Sequence, residues 1–229
     1  MREEALSAIR RKMDAAAVRA GRRPEEVTLV AVTKTVGVAM VREAFRAGLR
    51  IFGENRVQEA REKAGQLPEE EYPGIRWHLI GHLQKNKVKQ AVQLFDLIHS
   101  VDSPGLAEEL HRQAERTGKM QRVLVQVKLS PEETKHGAAE QDLLPLLGRV
   151  RQLGALKVEG LMTMPPFFDD PEKARPYFRK LRELRDRAEK EGFRLPELSM
   201  GMSDDFEVAI EEGATLVRIG TALFGERSG

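Results

Sequence analysis

Apolar positions along the chain alternate between two spacings. Short runs rich in β-branched residues recur between stretches whose apolar positions repeat every three or four residues, the pattern of parallel strands joined by helices. Leu6, Ile9, Met13, Ala16 and Ala17 open the chain at helical spacing. Val27 to Val32 follows as a strand that is apolar on both faces, as a strand covered on both sides must be. A helix from about Val38 to Ala47 stops at Gly48, a residue suited to the position just past a helix end. The cycle then repeats. Strands are expected at Arg50 to Phe52, Arg76 to Ile80, Leu94 to His99, Val123 to Val127, Leu156 to Leu161, Glu197 to Ser199 and Thr215 to Ile219. The helices between them start near Glu54, run from Gln84 to Gln93, begin at Asp102 or Ser103 with Pro104 in the first turn, and span about Glu140 to Leu153, Pro171 to Glu191 and Ser203 to Glu212.

Eight strands alternating with helices predict an α/β fold, a single (β/α)8 barrel of the TIM type with an extra N-terminal helix, as one domain over residues 1–229. An open doubly wound sheet is the alternative, but no glycine-rich dinucleotide fingerprint follows the first strand. The chain has no cysteine, which excludes disulfides, thiolate metal sites and cysteine nucleophiles and fits a reducing compartment. A net charge of +2, spread over 32% charged residues, offers no concentrated patch for nucleic acid. No run approaches the roughly 20 apolar residues of a membrane span, and Met1-Arg2-Glu3-Glu4 leads into no signal-like segment. The expectation is a cytoplasmic protein without membrane or nucleic-acid partners. His78, His82, His99, His111 and His136 show no paired ligand spacing, so no metal site is expected. His99-Ser100…Asp102 reads as cap and turn residues rather than a catalytic triad, and Lys85 to Lys89 as a solvated helix face that an acidic ligand could alternatively use.

Barrels of this kind carry their sites at the C-terminal ends of the strands, with phosphate held by the loops after the seventh and eighth. Lys34 caps the first strand, where partial desolvation would favour a neutral amine able to attack an aldehyde; a solvated lysine is the plainer reading. After the seventh strand, Ser199-Met200-Gly201-Met202-Ser203-Asp204 offers a glycine for close backbone approach and Ser203 as a helix N-cap. After the eighth, Gly220 and Thr221 offer backbone N–H groups and a hydroxyl. Arg218 is a charge within an apolar run and needs either an anionic or acceptor ligand or a structural ion pair. In a closed barrel the first and eighth strands are neighbours, so amine and phosphate cup would face one cavity.

These residues also carry a resemblance. Ala31-Val32-Thr33-Lys34, Phe52-Gly53-Glu54-Asn55, Trp77 to Gln84, Gly160 to Met164, Ser199 to Asp205 and Val217 to Thr221, in this order from about residue 5 to residue 225, resemble the pyridoxal phosphate homeostasis protein family. The resemblance implies a fold-type III barrel related to the N-terminal domain of alanine racemase, with pyridoxal 5′-phosphate held as a Schiff base on Lys34. It implies Ser199, Gly201, Gly220 and Thr221 at the phosphate, Arg218 at the pyridine nitrogen, and Asn55, His82 and Met162 lining the pocket. Glu133 to Gly137 resembles the family's Lys-x-Gly loop, and Arg56 departs from the tyrosine common after the Glu-Asn pair.

An arginine beside the pyridine nitrogen disfavours protonation there and weakens the ring as an electron sink. Racemisation also needs a second acid/base on the opposite face. Tyr72 lies in an acidic loop and Tyr177 in a surface-type helix, and the chain ends at Gly229 just after the last barrel element, so no second domain is expected to supply one. The expectation is a monomeric carrier that buffers the cofactor with little or no turnover and exchanges it with pyridoxal-phosphate-dependent apo-enzymes. Two enzymatic alternatives stay open: weak amino-acid racemisation, with His82 or water as the second base, and a Schiff-base aldolase acting on a phosphorylated substrate.

Overall fold

The computed structural model describes residues 3–132 and 136–225. In chain order the elements are α1 (Glu3–Arg19), β1 (Thr28–Val32), α2 (Val38–Arg46), β2 (Ile51–Glu54), α3 (Val57–Ala64), β3 (Arg76–Leu79), α4 (Val88–Leu94), β4 (Leu97–Val101) and α5 (Pro104–Arg116). They continue with β5 (Gln121–Gln126), α6 (Leu143–Arg151), β6 (Leu156–Met162), α7 (Arg175–Lys190), β7 (Glu197–Ser199), α8 (Phe206–Glu211), β8 (Leu216–Ile219) and α9 (Thr221–Phe224). Every strand pairs in parallel with its sequence neighbour, and β8 closes on β1 through Thr28↔Leu216 to Ala31↔Ile219. This is the (β/α)8 barrel expected from the alternating pattern, with α1 as the extra N-terminal helix.

The two faces of each strand serve different layers. Ala31, Phe52, Leu79, Ile98, Val123 and Leu161 face outward into a core shared with the helices. Val30, Leu97, Leu124, Met162 and Leu216 fill the barrel interior. A TIM barrel packs such inward side chains in layers, so its centre is solid and only the mouth is open. α1 lays Leu6, Ile9, Met13, Ala16 and Ala17 against the body, chiefly on α8 and α9, and Arg22 donates to the carbonyls of Ile210 and Ala214. Among the described residues, no helix is long and apolar enough to cross a membrane.

Several element boundaries differ from the sequence reading, and those of β2, β4 and α8 matter for the site. The second strand runs to Glu54 instead of stopping at Phe52, and α3 starts only at Val57, because Glu54 is fully buried beside Lys63 rather than exposed at a helix start. The fourth strand starts at Leu97 and runs to Val101, because Leu94 closes α4. His99 therefore sits in mid-strand, facing inward with Leu97. α8 starts at Phe206, not Ser203, and the four-residue α9 after β8 was not anticipated.

Candidate functional site

A cavity of about 350 Å3 opens at the C-terminal mouth of the barrel, within the range that holds small ligands. Lys34, Asn55, His82, Arg218, Gly220 and Thr221 all line it, from four different strand ends. Ser203 and Met164 line it as well. Met162, Ser199 and Gly201, expected at the site, are buried and are not among its lining residues. Met162 belongs to the barrel interior, and the other two lie behind the wall.

Lys34 is half-buried, in the turn that leaves β1. Thr35, next to it, has φ 63° and is the single non-glycine residue in the left-handed region among the described residues. That conformation costs about 1–3 kcal/mol for a side chain with a Cβ and persists only when its surroundings impose it. They do so here through charges. Lys63 Nζ is buried and donates to the Thr33 carbonyl at 2.6 Å, to Glu54 Oε1 at 2.7 Å and to Glu59 Oε1 at 2.7 Å. The Thr33 hydroxyl donates to Glu54 Oε1 at 2.6 Å, and the Thr35 amide donates to Glu59 Oε1 at 2.5 Å. The residues on both sides of Lys34 are thus tied to one ionic cluster. Burial pushes the Glu54 carboxyl above the usual carboxylate range despite the hydrogen bonds from Lys63 and Thr33, and its Oε2 has no hydrogen-bond partner.

On the neighbouring strand β8 the Arg218 guanidinium is buried and reaches the cavity floor. Nη1 donates to Ser199 Oγ at 2.7 Å and Nη2 to the Thr163 carbonyl at 3.0 Å. Both acceptors are neutral. No carboxylate at salt-bridge distance, among the described residues, matches the charge; Asp205 acts on it through space, and burial pushes its pKa down to about 10. Behind Ser199, its Oγ meets His99 Nδ1 at 2.9 Å, and His99 Nε2 meets His78 Nδ1 at 3.1 Å. His99 therefore belongs to the barrel interior, while the Ser100 hydroxyl has no hydrogen-bond partner and Asp102 stands at the mouth, which excludes a triad of the three.

The loops after β7 and β8 do meet. Ser203 Oγ accepts from the Ala222 amide at 3.3 Å, which joins Ser203, Gly220, Thr221 and Ala222 into one polar rim. Ser203 is not the N-cap of α8; Asp205 holds that place, and its Oδ1 accepts from the Met202 amide. Gly201 is required for packing: its φ is 91°, and a Cβ there would lie 2.5 Å from the Ala209 Cβ.

At the rim, the loops after β3, β4 and β5 bring together His82, Asp102 and His136, with potential ligand atoms within 4.8 Å of one another. Sequence spacing gave no hint of this group. The two imidazoles stack face to face at 3.9 Å and 15°, with Asp102 Oδ2 3.7 Å from His82 Nδ1. Their in-plane lone pairs run side by side instead of converging, so a metal would require both rings to turn. Glu133, Thr134 and Lys135 of the adjoining loop lie outside the described residues.

The sequence matches the family described as "Alanine racemase, N-terminal domain" over residues 5–228. A relative from Aquifex aeolicus (strain VF5), named "Pyridoxal phosphate homeostasis protein", is 48% identical over 98% of this chain and 97% of its own length. One of the same name from Escherichia coli (strain K12) is 40% identical over 97% and 95%. Among solved structures, PipY of Synechococcus elongatus PCC7942 with pyridoxal phosphate bound superposes with a TM-score of 0.83 at 41% identity, covering 93% of this chain and 99% of PipY. An alanine racemase from Clostridium difficile 630 shares the fold at a TM-score of 0.70 and 15% identity, over 53% of its length.

Proposed function

Because the chain belongs to the alanine racemase N-terminal domain family, among its pyridoxal phosphate homeostasis proteins, we propose that it binds pyridoxal 5′-phosphate at the barrel mouth and carries and buffers it with little or no turnover. The observation that carries this reading is the pairing, in one cavity, of the Lys34 amine with a buried arginine that no described carboxylate meets at salt-bridge distance. A buried charge without a counter-ion costs several kcal/mol, and an anionic, acceptor-bearing ligand removes that cost.

The donor set fits this ligand group by group. Lys34 would take the aldehyde, Arg218 the ring nitrogen, and the rim of Ser203, Gly220 and Thr221 the phosphate, while Asn55 and His82, which line the same cavity, would stand beside the ring. Ser199 and Gly201, behind the wall, support Arg218 and the rim. Pyridoxal phosphate supplies an aldehyde that a primary amine captures reversibly with loss of water. The protein's share is to hold the amine, keep a fixed positive charge under the ring nitrogen and grip the phosphate. An arginine there keeps protons off the ring nitrogen and so opposes carbanion chemistry. No tyrosine lines the cavity: Tyr72 packs edge-on against Phe45 at 5.3 Å and Tyr177 against Phe168 at 5.9 Å. The same reading makes the chain a single-domain, monomeric, cytoplasmic protein that exchanges its cofactor with apo-enzymes. The lack of cysteine supports the compartment.

Pyridoxal phosphate added to the purified protein should give Schiff-base absorbance that Lys34→Ala abolishes, and borohydride reduction should place the label on the Lys34 peptide. A label on another lysine, or an unchanged spectrum in Lys34→Ala, overturns the assignment. His82 at the cavity edge favours weak racemisation as the second reading. Solvent deuterium entering alanine at its α-carbon would support it, and no exchange above buffer would end it.

A further inference from the structure

Within the barrel, one line of polar side chains runs from the cavity floor toward the closed end: Arg218, Ser199, His99, His78. All four are buried, in a space where this fold packs branched apolar residues and where Val30, Leu97, Leu124 and Leu216 do so here. The proton positions along the line follow from valence. A guanidinium only donates, so Ser199 Oγ accepts from Arg218 Nη1. If His99 Nδ1 also donated to that oxygen, the hydroxyl hydrogen would be left without its acceptor in a buried site, at a cost of about 1–3 kcal/mol. Ser199 therefore donates to His99 Nδ1. A neutral His99 then carries its hydrogen on Nε2 and gives it to His78 Nδ1, which leaves the His78 hydrogen on Nε2. Both rings are held neutral by burial, with Arg218 and Arg122 acting against charge on His99, and Arg122 and Arg76 on His78.

We propose that His99 is a positioning residue for Arg218: through Ser199 it fixes the guanidinium beneath the cavity, and His78 in turn fixes the tautomer of His99. The chemical logic lies in the choice of anchor. A carboxylate would hold an arginine more strongly, but it would cancel the charge that faces the cavity. A hydroxyl backed by a neutral imidazole holds the same group and leaves its charge for the ligand. Ser199 and His99 both pass their hydrogens down the line, away from Arg218, so the guanidinium meets only an acceptor there.

The role of this line in cofactor binding rests on the pyridoxal phosphate reading; the direction of its hydrogen bonds does not, and the two are measured separately. In the ligand-free wild type, long-range ¹H–¹⁵N spectra of histidine-labelled protein should show His99 and His78 as neutral Nε2–H tautomers at neutral pH. Ser199→Ala should shift the His99 signals toward a tautomer mixture. An Nδ1–H form of His99, or an imidazolium at either position, overturns the proposal whether or not pyridoxal phosphate binds. With the cofactor, His99→Leu should weaken binding about 5- to 20-fold, the effect of one lost buried hydrogen bond, and should move the ring-nitrogen signal of ¹⁵N-labelled pyridoxal phosphate. His99→Gln, able to accept from Ser199 and donate to His78, should restore both. A Leu variant within twofold of wild type with an unmoved ring-nitrogen signal, or a Gln variant no better than Leu, overturns it. Wild-type protein that takes up no pyridoxal phosphate sinks the functional reading, while the tautomers still decide the hydrogen-bond line.

Discussion

Behind Lys34 the barrel places two carboxylates and an ammonium; behind Arg218 it places a hydroxyl and two imidazoles. The difference follows from what each group must do. Lys34 sits in a strained turn, and strong bonds are needed to hold the backbone at Thr33 and Thr35. The ionic cluster grips those neighbours, so the strain is borne beside the reacting amine. Arg218 sits on a regular strand, needs little force, and must keep its charge. One wall uses charge to fix a shape, and the other uses neutral groups to present a charge.

Lys63→Met breaks the first wall and should have the largest effect. It leaves Glu54 buried beside Glu59 with no counter-charge, a change that typically costs about 3–5 kcal/mol and lowers the melting temperature of a chain this size by roughly 10 °C. The pH dependence carries a definite sign. Glu54 already has a folded-state pKa raised by burial, and losing Lys63 removes the largest influence that lowers it. A carboxyl raised in the folded state contributes stability below its unfolded pKa and loses it as pH rises through the folded value. The deficit of Lys63→Met should therefore shrink as the pH falls from neutral into the range above the ordinary carboxylate value where Glu54 takes up its proton. A melting temperature within a degree or two of wild type, or a deficit that grows on acidification, would show that the cluster does not bear the turn.

Gly201→Ala tests the second wall by its backbone. The residue has φ 91°, its carbonyl accepts from the Arg218 amide, and an added Cβ would meet the Ala209 Cβ at 2.5 Å and the Phe206 Cα at 3.1 Å. Strain and overpacking together should cost about 2–4 kcal/mol and weaken pyridoxal phosphate binding in the fraction that folds. Denaturant unfolding and a binding titration read both. If α8 simply shifts outward, stability falls with no loss of affinity, and Gly201 serves the fold alone.

The fold was legible because strand and helix periods differ, and a mistaken boundary of two or three residues leaves the alternation intact. The pairing of Lys34 with Gly220 and Thr221 was legible because a closed barrel makes its first and last strands neighbours. What failed was parity. Ser199 and Ser203 stand four residues apart in one run, but Gly201 at positive φ ends the strand's alternation between them. Ser199 consequently faces the interior and Ser203 the cavity. The apolar pattern places His99 at the end of a strand, whereas it stands at the centre of β4, and that offset hides its inward aspect. Lys63 with Glu54 joins a helix to the strand before it across nine positions, a spacing that belongs to no period. Such a pair is visible only in three dimensions.

The smallest effect is expected at Thr35, and it separates strain from mere position. Its left-handed conformation disfavours any β-branched side chain, while glycine adopts it freely. Thr35→Gly should relieve about 1 kcal/mol of strain and lose a similar amount to backbone entropy, together with the bond from its exposed hydroxyl to the Lys34 carbonyl. The net change in stability should be close to zero. Thr35→Val keeps the branching and loses the hydroxyl, and should be the less stable of the two by about 1 kcal/mol. Lys63→Met made in the Thr35→Gly background should then cost less than in wild type, because the cluster no longer has a strained turn to hold. If the two substitutions simply add, as independent sites do, Lys63 stabilises the barrel without bearing the turn, and the contrast between the two walls loses its cause.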